Sequence, residues 1–428
     1  KKNYIFFAIK GNNIDGNKYI KHAIKNGSNI IISEKVKEKI ENNVLYLNNK
    51  NPRKLLAEFS SKLNYQRPRN LVAVTGTNGK SSIANFYFQI LKINKIKVAS
   101  IGTLGTEGIK IKKKISNTTY DPIMLNNILK ILKKKRIDNV ILEASSHGLK
   151  QHRLDGLQFN LGIFTNLSRD HLDYHKTYKD YFESKLILFR KLMKENSNII
   201  FDEDLIIAKK IKKIIKKNNF KPLSIGYANS NLKIVDHKFI GSDQYVKFLY
   251  KNSIYKFSTN LIGKIQIKNL LMSILAASKS NLNLKSILNS IKKIKSVPGR
   301  FEKIGKLKNN SIVILDYAHT PDALEVCLNS LSNQFPLKKI NLVFGCGGER
   351  DKPKRKIMGR IANKYCNNIY LTDDNPRGEN PKKIRNQIKT NINKRKLIEI
   401  ASREIAINRA IQNIKSNEIV VVAGKGHE

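Results

Sequence analysis

The sequence predicts an α/β protein of three domains: a small N-terminal α/β domain, a central phosphate-loop domain on a mostly parallel sheet, and a C-terminal Rossmann-like α/β domain. Three observations predict it. Apolar runs of strand length alternate with helical patterns along the chain, and many end in polar residues. One of these runs leads into Thr75-Gly-Thr-Asn-Gly-Lys-Ser-Ser82, a glycine loop of phosphate-binding type. Two polar, proline-bearing stretches, 64–70 and 294–299, interrupt the pattern. The expected domains are 1–66, 67–296 and 297–428, and 428 residues leave ample core for them.

Taken in order, Tyr4-Ile-Phe-Phe-Ala-Ile9 reads as a strand, and the helical run 53–59 closes the first domain. The second opens with the strand 71–74, the glycine loop and the helix 83–90. Gly76 and Gly79 let backbone amides converge on a phosphate, at the positive end of a helix. Lys80 can reach terminal phosphates, and Ser81 can place its hydroxyl on magnesium. Val74 stands where the usual pattern has its first Gly. The runs 140–143, 161–165 and 199–201, the last leading into Asp202, read as further strands of a buried parallel sheet. In the third domain 313–315, 341–344, 368–371 and 419–422 read as strands, with amphipathic helices at 382–392 and 403–414. GxGxxG is absent, so this pattern is not read as dinucleotide binding.

The chain carries 81 Lys and Arg against 33 Asp and Glu, a formal net charge of +48. Such a balance suggests a polyanion partner. The excess, however, is mostly Lys, scattered and accompanied by Ile and Asn, as an AT-rich genome would produce. Runs such as 112–114 and 133–136 are read as solvated faces, and no specific nucleic-acid partner is expected. Cys327, Cys346 and Cys366 have no metal-type spacing and fit a reduced compartment. No apolar stretch reaches the roughly 20 residues of a membrane helix. A cytoplasmic location is expected.

Four constellations carry chemistry beyond the loop. The segment 143–149, with Gln151 and Arg153 after it, offers Glu143 at a strand end, either as a hard oxygen ligand or as a capping or salt-bridged acid. In 165–175, His171 and His175 lie four apart. A zinc pair is not expected without a third soft ligand, and one His near magnesium is the preferred reading. Lys185 stands on a mostly apolar helix run, 182–189, where a snorkelling Lys is the residue-level expectation. Finally, 298–302, 316–322, 345–351, 374–377 and 424–428 gather glycines, acids and Arg at strand ends or turns, marking one ligand face.

Together these segments closely resemble the Mur ligase family. TGTNGKS, EASSHGL, TNLSRDHLDYH, GRFE, DYAHTPDAL, FGCGGERDKPKR, DNPR and GKGHE occur in family order across about residues 6–428. The resemblance implies an ATP-dependent acid–amino-acid ligase of peptidoglycan precursor synthesis, which phosphorylates a D-Glu γ-carboxylate and lets an amine displace phosphate. It implies that the N-terminal domain binds a UDP-sugar, and that family segments lie before residue 1 and after 428. Gly76, Thr77, Asn78, Gly79, Lys80 and Ser81 would hold ATP phosphates, with Asn269, Arg300, Asp316 and His319 on base, ribose and γ-phosphate. Ser81, Glu143, His171 and Lys185 would serve magnesium, two ions being expected. Lys185 matches a family lysine carbamylated to N6-carboxylysine. Asn117, Thr118, Thr119, Ser145, Gln151 and Arg153 match contacts to UDP-N-acetylmuramoyl-L-Ala-D-Glu. Arg350, Asp374, Asn375, Pro376, Arg377, Gly424 and Glu428 match an amino-acid pocket. In it a buried Arg377 would fork the second carboxylate of meso-diaminopimelate and disfavour lysine. Lys80, Glu143, His171 and Lys185 would be the catalytic set, in a chain expected to be monomeric. The alternatives weighed are a lysine-adding Mur ligase, a folylpolyglutamate synthetase-like ligase and, in another class, a phosphate-loop nucleic-acid binder.

Overall fold

The computed structural model describes residues 3–11, 14–110, 117–307, 309–349 and 351–426. The α/β class holds, with three sheets following one another along the chain. In the first, Tyr4–Phe7, Ser28–Ser33 and Val44–Asn48 run parallel and Lys39–Glu41 closes the edge antiparallel. The helix Pro52–Leu63 leads out of it. Pro52 occupies the first turn, where no amide is needed, and the Asn51 side chain accepts from Lys54 N.

The central sheet has ten strands. Its parallel heart is Lys221–Gly226, Met193–Asp202, Phe159–Phe164, Asn70–Thr75, Asn139–Glu143 and Val98–Gly102, in that spatial order. The strand alternation divides its core in two. Val72 and Val74 pack under the helices Lys80–Ile93 and Lys264–Ser278, while Leu71 and Ala73 face Pro122–Lys134 and Tyr178–Lys191. An antiparallel meander, Leu232–Ile240, Asp243–Tyr250 and Ser253–Thr259, extends one edge. The sequence reading did not anticipate this extension. It reads as polar and Lys-rich because its outer face is exposed.

The third sheet runs Glu302–Lys306, Ile312–Asp316, Glu418–Ala423, Lys339–Phe344, Asn368–Leu371 and Leu397–Glu399, all parallel except the first. Four of the five C-terminal ligand-face segments leave the carboxyl ends of its parallel strands. The fifth, 298–302, enters the antiparallel strand at the same edge, which explains why all five gather there. The two larger sheets are joined away from this edge by Gln334. Its side chain accepts from Gly263 N at 2.8 Å and donates to Ser242 O at 2.9 Å. No helix among the described residues is long and apolar enough to cross a membrane. The three cysteines are buried thiols.

Candidate active site

The glycine loop leaves the strand Asn70–Thr75 and turns into the helix Lys80–Ile93. Gly76 and Gly79 have φ of +142° and +88°, the left-handed side that favours glycine. Space also demands them: an added Cβ would lie 1.8 Å from Thr165 Oγ1 at Gly76 and 2.6 Å from Asn269 Oδ1 at Gly79. The next strand end braces the loop. Asn166 accepts from Thr77 N through its carbonyl (3.0 Å) and from Asn78 N through its side chain (2.9 Å), and Thr165 Oγ1 donates to Asn78 O.

Two lysines converge on one carbonyl in this loop. Lys80 Nζ donates to Gly76 O at 3.0 Å and to Thr77 O at 2.7 Å, while Lys185 Nζ reaches the same Gly76 O at 2.7 Å. Lys185 does not snorkel, contrary to the residue-level expectation. It is 1% exposed, with its ammonium 4.1 Å from the ring centroid of Tyr181, one turn earlier on the helix Tyr178–Lys191. Burial, reinforced by Lys80, holds its pKa well below that of an ordinary lysine.

Glu143 ends its strand and is 3% exposed. Its carboxylate accepts from Ser81 Oγ (3.0 Å), Thr103 N (2.9 Å) and Thr103 Oγ1 (3.1 Å). Among the described residues it has no ion pair, and Ser145 caps the helix that follows, so neither bland reading of Glu143 applies. His171 sits in a left-handed turn with Nε2 3.4 Å from Asp170 Oδ2. Burial lowers its pKa to about 4 despite that carboxylate, leaving the ring neutral near pH 7. Both ring nitrogens of His175 face hydroxyls, Nε2 to Ser146 Oγ at 3.0 Å and Nδ1 to Ser184 Oγ at 3.3 Å. Hard oxygens of Ser81 and Glu143 beside a neutral His suit magnesium better than a soft metal. No three acidic, His or Cys side chains among the described residues form a cage by themselves. Such a donor set fits an ion that keeps waters and phosphate oxygens.

Facing this wall across a cavity of about 390 Å³ are residues of the C-terminal sheet. The Arg300 guanidinium lies 4.2 Å over the Tyr317 ring. The Asp316 carboxylate accepts from Phe301 N at 2.7 Å and Ala318 N at 2.9 Å, and burial raises its pKa against these bonds. His319 Nδ1 meets Tyr317 O at 2.9 Å. Asn269 reaches the same cavity from Lys264–Ser278, with Nδ2 held by Gln266 Oε1 at 3.0 Å. The mouth is tied by Arg169, whose amide donates to Asp322 Oδ2 (3.1 Å) and whose guanidinium lies 3.4 Å from Asp351.

Beyond Glu143 the next group assembles around Thr119. Its Oγ1 donates to Glu143 O (2.8 Å) and meets Ser145 Oγ (3.0 Å), and its carbonyl accepts from Arg153 (2.6 Å). Arg153 also donates to Gln151 Oε1 at 2.8 Å, and Thr118 Oγ1 meets Thr103 Oγ1 at 3.0 Å. Asn117 is exposed at the start of this segment. On the C-terminal sheet, Gly424 N donates to Asp316 O at 3.0 Å, and Asp374 Oδ2 would be 3.3 Å from a Cβ on Gly424. Asp374 therefore lies next to the Asp316 strand end, while Asn375, Pro376 and Arg377 pack against Gly347 and Gly348, and none of the four lines the cavity. Arg377 is exposed, which corrects the buried arginine expected from sequence. Its Nη1 donates to Gly348 O at 2.8 Å. Arg350 and Glu428 lie outside the described residues.

Sequence reasoning passed over Asp170, Tyr181, Tyr317 and Thr103, which all line the cavity. Tyr181 carried a signal, one turn before Lys185. Thr103 carried none, since it follows the run 98–102, which was not singled out.

The family model of the Mur ligase middle domain matches residues 74–277, and that of the Mur ligase glutamate ligase domain matches 299–426. The UDP-N-acetylmuramoyl-L-alanyl-D-glutamate–2,6-diaminopimelate ligase of Rickettsia montanensis is 39% identical over 429 residues, spanning 99% of this chain and 88% of its own. A solved structure of a ligase of the same name aligns over 100% of this chain and 88% of its own, at 30% identity and a TM-score of 0.72. A MurF ligase from Thermotoga maritima, solved with ADP, aligns over 100% of this chain and 92% of its own. At 20% identity and a TM-score of 0.70 it shows a shared fold alone.

Proposed function

The chain belongs to the Mur ligase family, and from that premise we propose that it joins meso-diaminopimelate to the D-Glu of UDP-N-acetylmuramoyl-L-Ala-D-Glu at the expense of ATP. The observation that carries the reading is the opposition of two walls across one cavity. The glycine loop with Lys80, Ser81 and Glu143 stands on one side, and Arg300, Asp316 and His319 on the other. Such a cleft suits a reaction in which crowded anions must be neutralised and two charged reactants aligned.

In this reading the loop 76–81 cradles the ATP phosphates, and Asn269, Arg300, Asp316 and His319 hold base, ribose and γ-phosphate. The D-Glu γ-carboxylate takes the γ-phosphoryl group, giving ADP and an acyl phosphate. The diaminopimelate amine then attacks the acyl carbon, the tetrahedral intermediate collapses, and inorganic phosphate and a proton leave. Ser81, Glu143, His171 and a carbamylated Lys185 would hold magnesium, which when bound supplies charge neutralisation. Carbamylation needs a neutral amine to attack carbon dioxide. The buried Lys185, crowded by Lys80 at one carbonyl, is the lysine in this cavity most readily deprotonated. Thr118, Thr119, Ser145, Gln151 and Arg153, with Asn117, hold the UDP-dipeptide. Arg377, with Asp374, Asn375, Pro376, Gly424, Arg350 and Glu428, receives diaminopimelate. Arg377's exposure suits a guanidinium whose carboxylate partner arrives with the substrate.

The test is ATP-dependent phosphate release with UDP-N-acetylmuramoyl-L-Ala-D-Glu, magnesium and bicarbonate, comparing meso-diaminopimelate, L-lysine and no amino acid. Release with diaminopimelate alone is expected. Equal release with lysine would leave the family and remove the role given to Arg377.

A further inference from the structure

The segments 345–349 and 374–379 interlock beneath Arg377. Gly348 N donates to Asn375 O at 2.9 Å, and a Cβ on Gly348 would sit 1.8 Å from Pro376 O. Under this crossing lies Arg355, on the helix Pro353–Tyr365 and fully buried. Its Nη1 and Nη2 each reach one oxygen of the Glu379 carboxylate at 2.9 Å. Nη1 also reaches Gln387 Oε1 at 2.7 Å, and Nη2 reaches Gly347 O at 3.2 Å. Glu379 Oε1 accepts in addition from Glu349 N at 2.5 Å, so one carboxylate holds the second loop through the backbone of the first. A buried cation that binds a carboxylate with both prongs fixes its geometry as no single hydrogen bond does.

Charge is the second half of the observation. Glu379 is two residues from Arg377 and is the nearest acid to it along the chain. Among the described residues Arg377 nevertheless forms no ion pair, and both oxygens of Glu379 are held by Arg355. Arg377 also has φ of +51°, a backbone region that bulky residues occupy only when their surroundings enforce it.

We propose that Glu379, clamped by Arg355, is a positioning residue that determines amino-acid specificity. The clamp sets the loop that presents Arg377 and holds the nearest acid in sequence away from it, so the guanidinium stays available for the second carboxylate of the incoming amino acid. The proposal rests on the ligase reading above.

The experiment is steady-state kinetics of the full chain and of Glu379→Gln, with meso-diaminopimelate and L-lysine, measuring KM for all three substrates. Losing a charge-assisted contact of this kind predicts about a tenfold rise in KM for diaminopimelate and a fall in the diaminopimelate-to-lysine ratio of kcat/KM. KM for ATP and for the UDP-dipeptide stay unchanged, which a general loss of structure would not allow. Glu379→Asp keeps the charge and recovers part of the selectivity, and it serves as the test if Glu379→Gln does not fold. Unchanged selectivity in a folded variant, or an equal rise in all three KM values, overturns the proposal. A wild-type chain that does not prefer diaminopimelate overturns the ligase reading instead.

Discussion

The pair of lysines on Gly76 O makes a quantitative prediction about bicarbonate. Bonds of 2.7 and 3.0 Å to one oxygen keep the two nitrogens within about 5.7 Å of each other. At an effective dielectric of about 20, two positive charges at that separation repel by about 3 kcal/mol. Burial, reinforced by this repulsion, holds the Lys185 pKa well below its value in the unfolded chain. The unfolded state then binds more protons between the depressed pKa and the ordinary 10.5, so Lys185's contribution to stability rises with pH across that window and is most unfavourable below it. Carbamylation puts a negative charge where the ammonium would stand, so the repulsion that disfavours the protonated form gives way to an attraction to Lys80 of similar size. The perturbation is bicarbonate, added to wild-type protein and to Lys185→Met at mildly alkaline pH, and the assay is denaturant unfolding. Wild type should gain on the order of 1–3 kcal/mol, well under the bare Coulomb difference because binding is incomplete and solvent relaxes. Lys185→Met should gain nothing. Without bicarbonate at neutral pH it should match or exceed wild type in stability while losing ligase activity. An equal response of both proteins, or a Lys185→Met deficit that does not change with pH, would refute the charge reasoning.

Three further outcomes are expected. Ser81→Ala removes the hydroxyl beside Glu143 and should cut kcat by about 10²-fold, checked by phosphate release across a magnesium titration. Gly79→Ala forces a Cβ to 2.6 Å from Asn269 Oδ1 at φ +88°, and should cost about 1–3 kcal/mol in denaturant unfolding and raise KM for ATP. Arg377→Met should raise KM for diaminopimelate by about 1–3 kcal/mol equivalent, with little change for lysine, checked by the ratio of the two kcat/KM values.

Much of this molecule was legible because its chemistry sits where parallel strands end. The runs 71–74, 140–142 and 313–315 are apolar on both faces and read as buried strands, so the polar strand ends and loops after them were found with them. The meander 232–259 was not legible, since a one-sided edge extension alternates Lys with apolar residues and resembles a polar surface. Lys185 shows the limit for single residues. The same Lys on the same apolar helix reads as snorkelling until the fold brings Gly76 O within 2.7 Å. Arg377 is the converse case. Its motif was plain, but the clamp beneath it joins Arg355, at the end of FGCGGERDKPKR, to Glu379, two residues past DNPR and in no motif, and the two meet only in the fold.

Two of the ties between the larger sheets differ in kind. Gln334 is a buried, uncharged amide bonded at both ends to backbone, whereas Arg169 meets Asp351 with its side chain about half exposed to water. Dissolved ions screen the second and leave the first untouched. Rising ionic strength thus weakens the Arg169–Asp351 pair at the cavity mouth and leaves the Gln334 bonds in place. Substrate entry and product exit should therefore respond to salt.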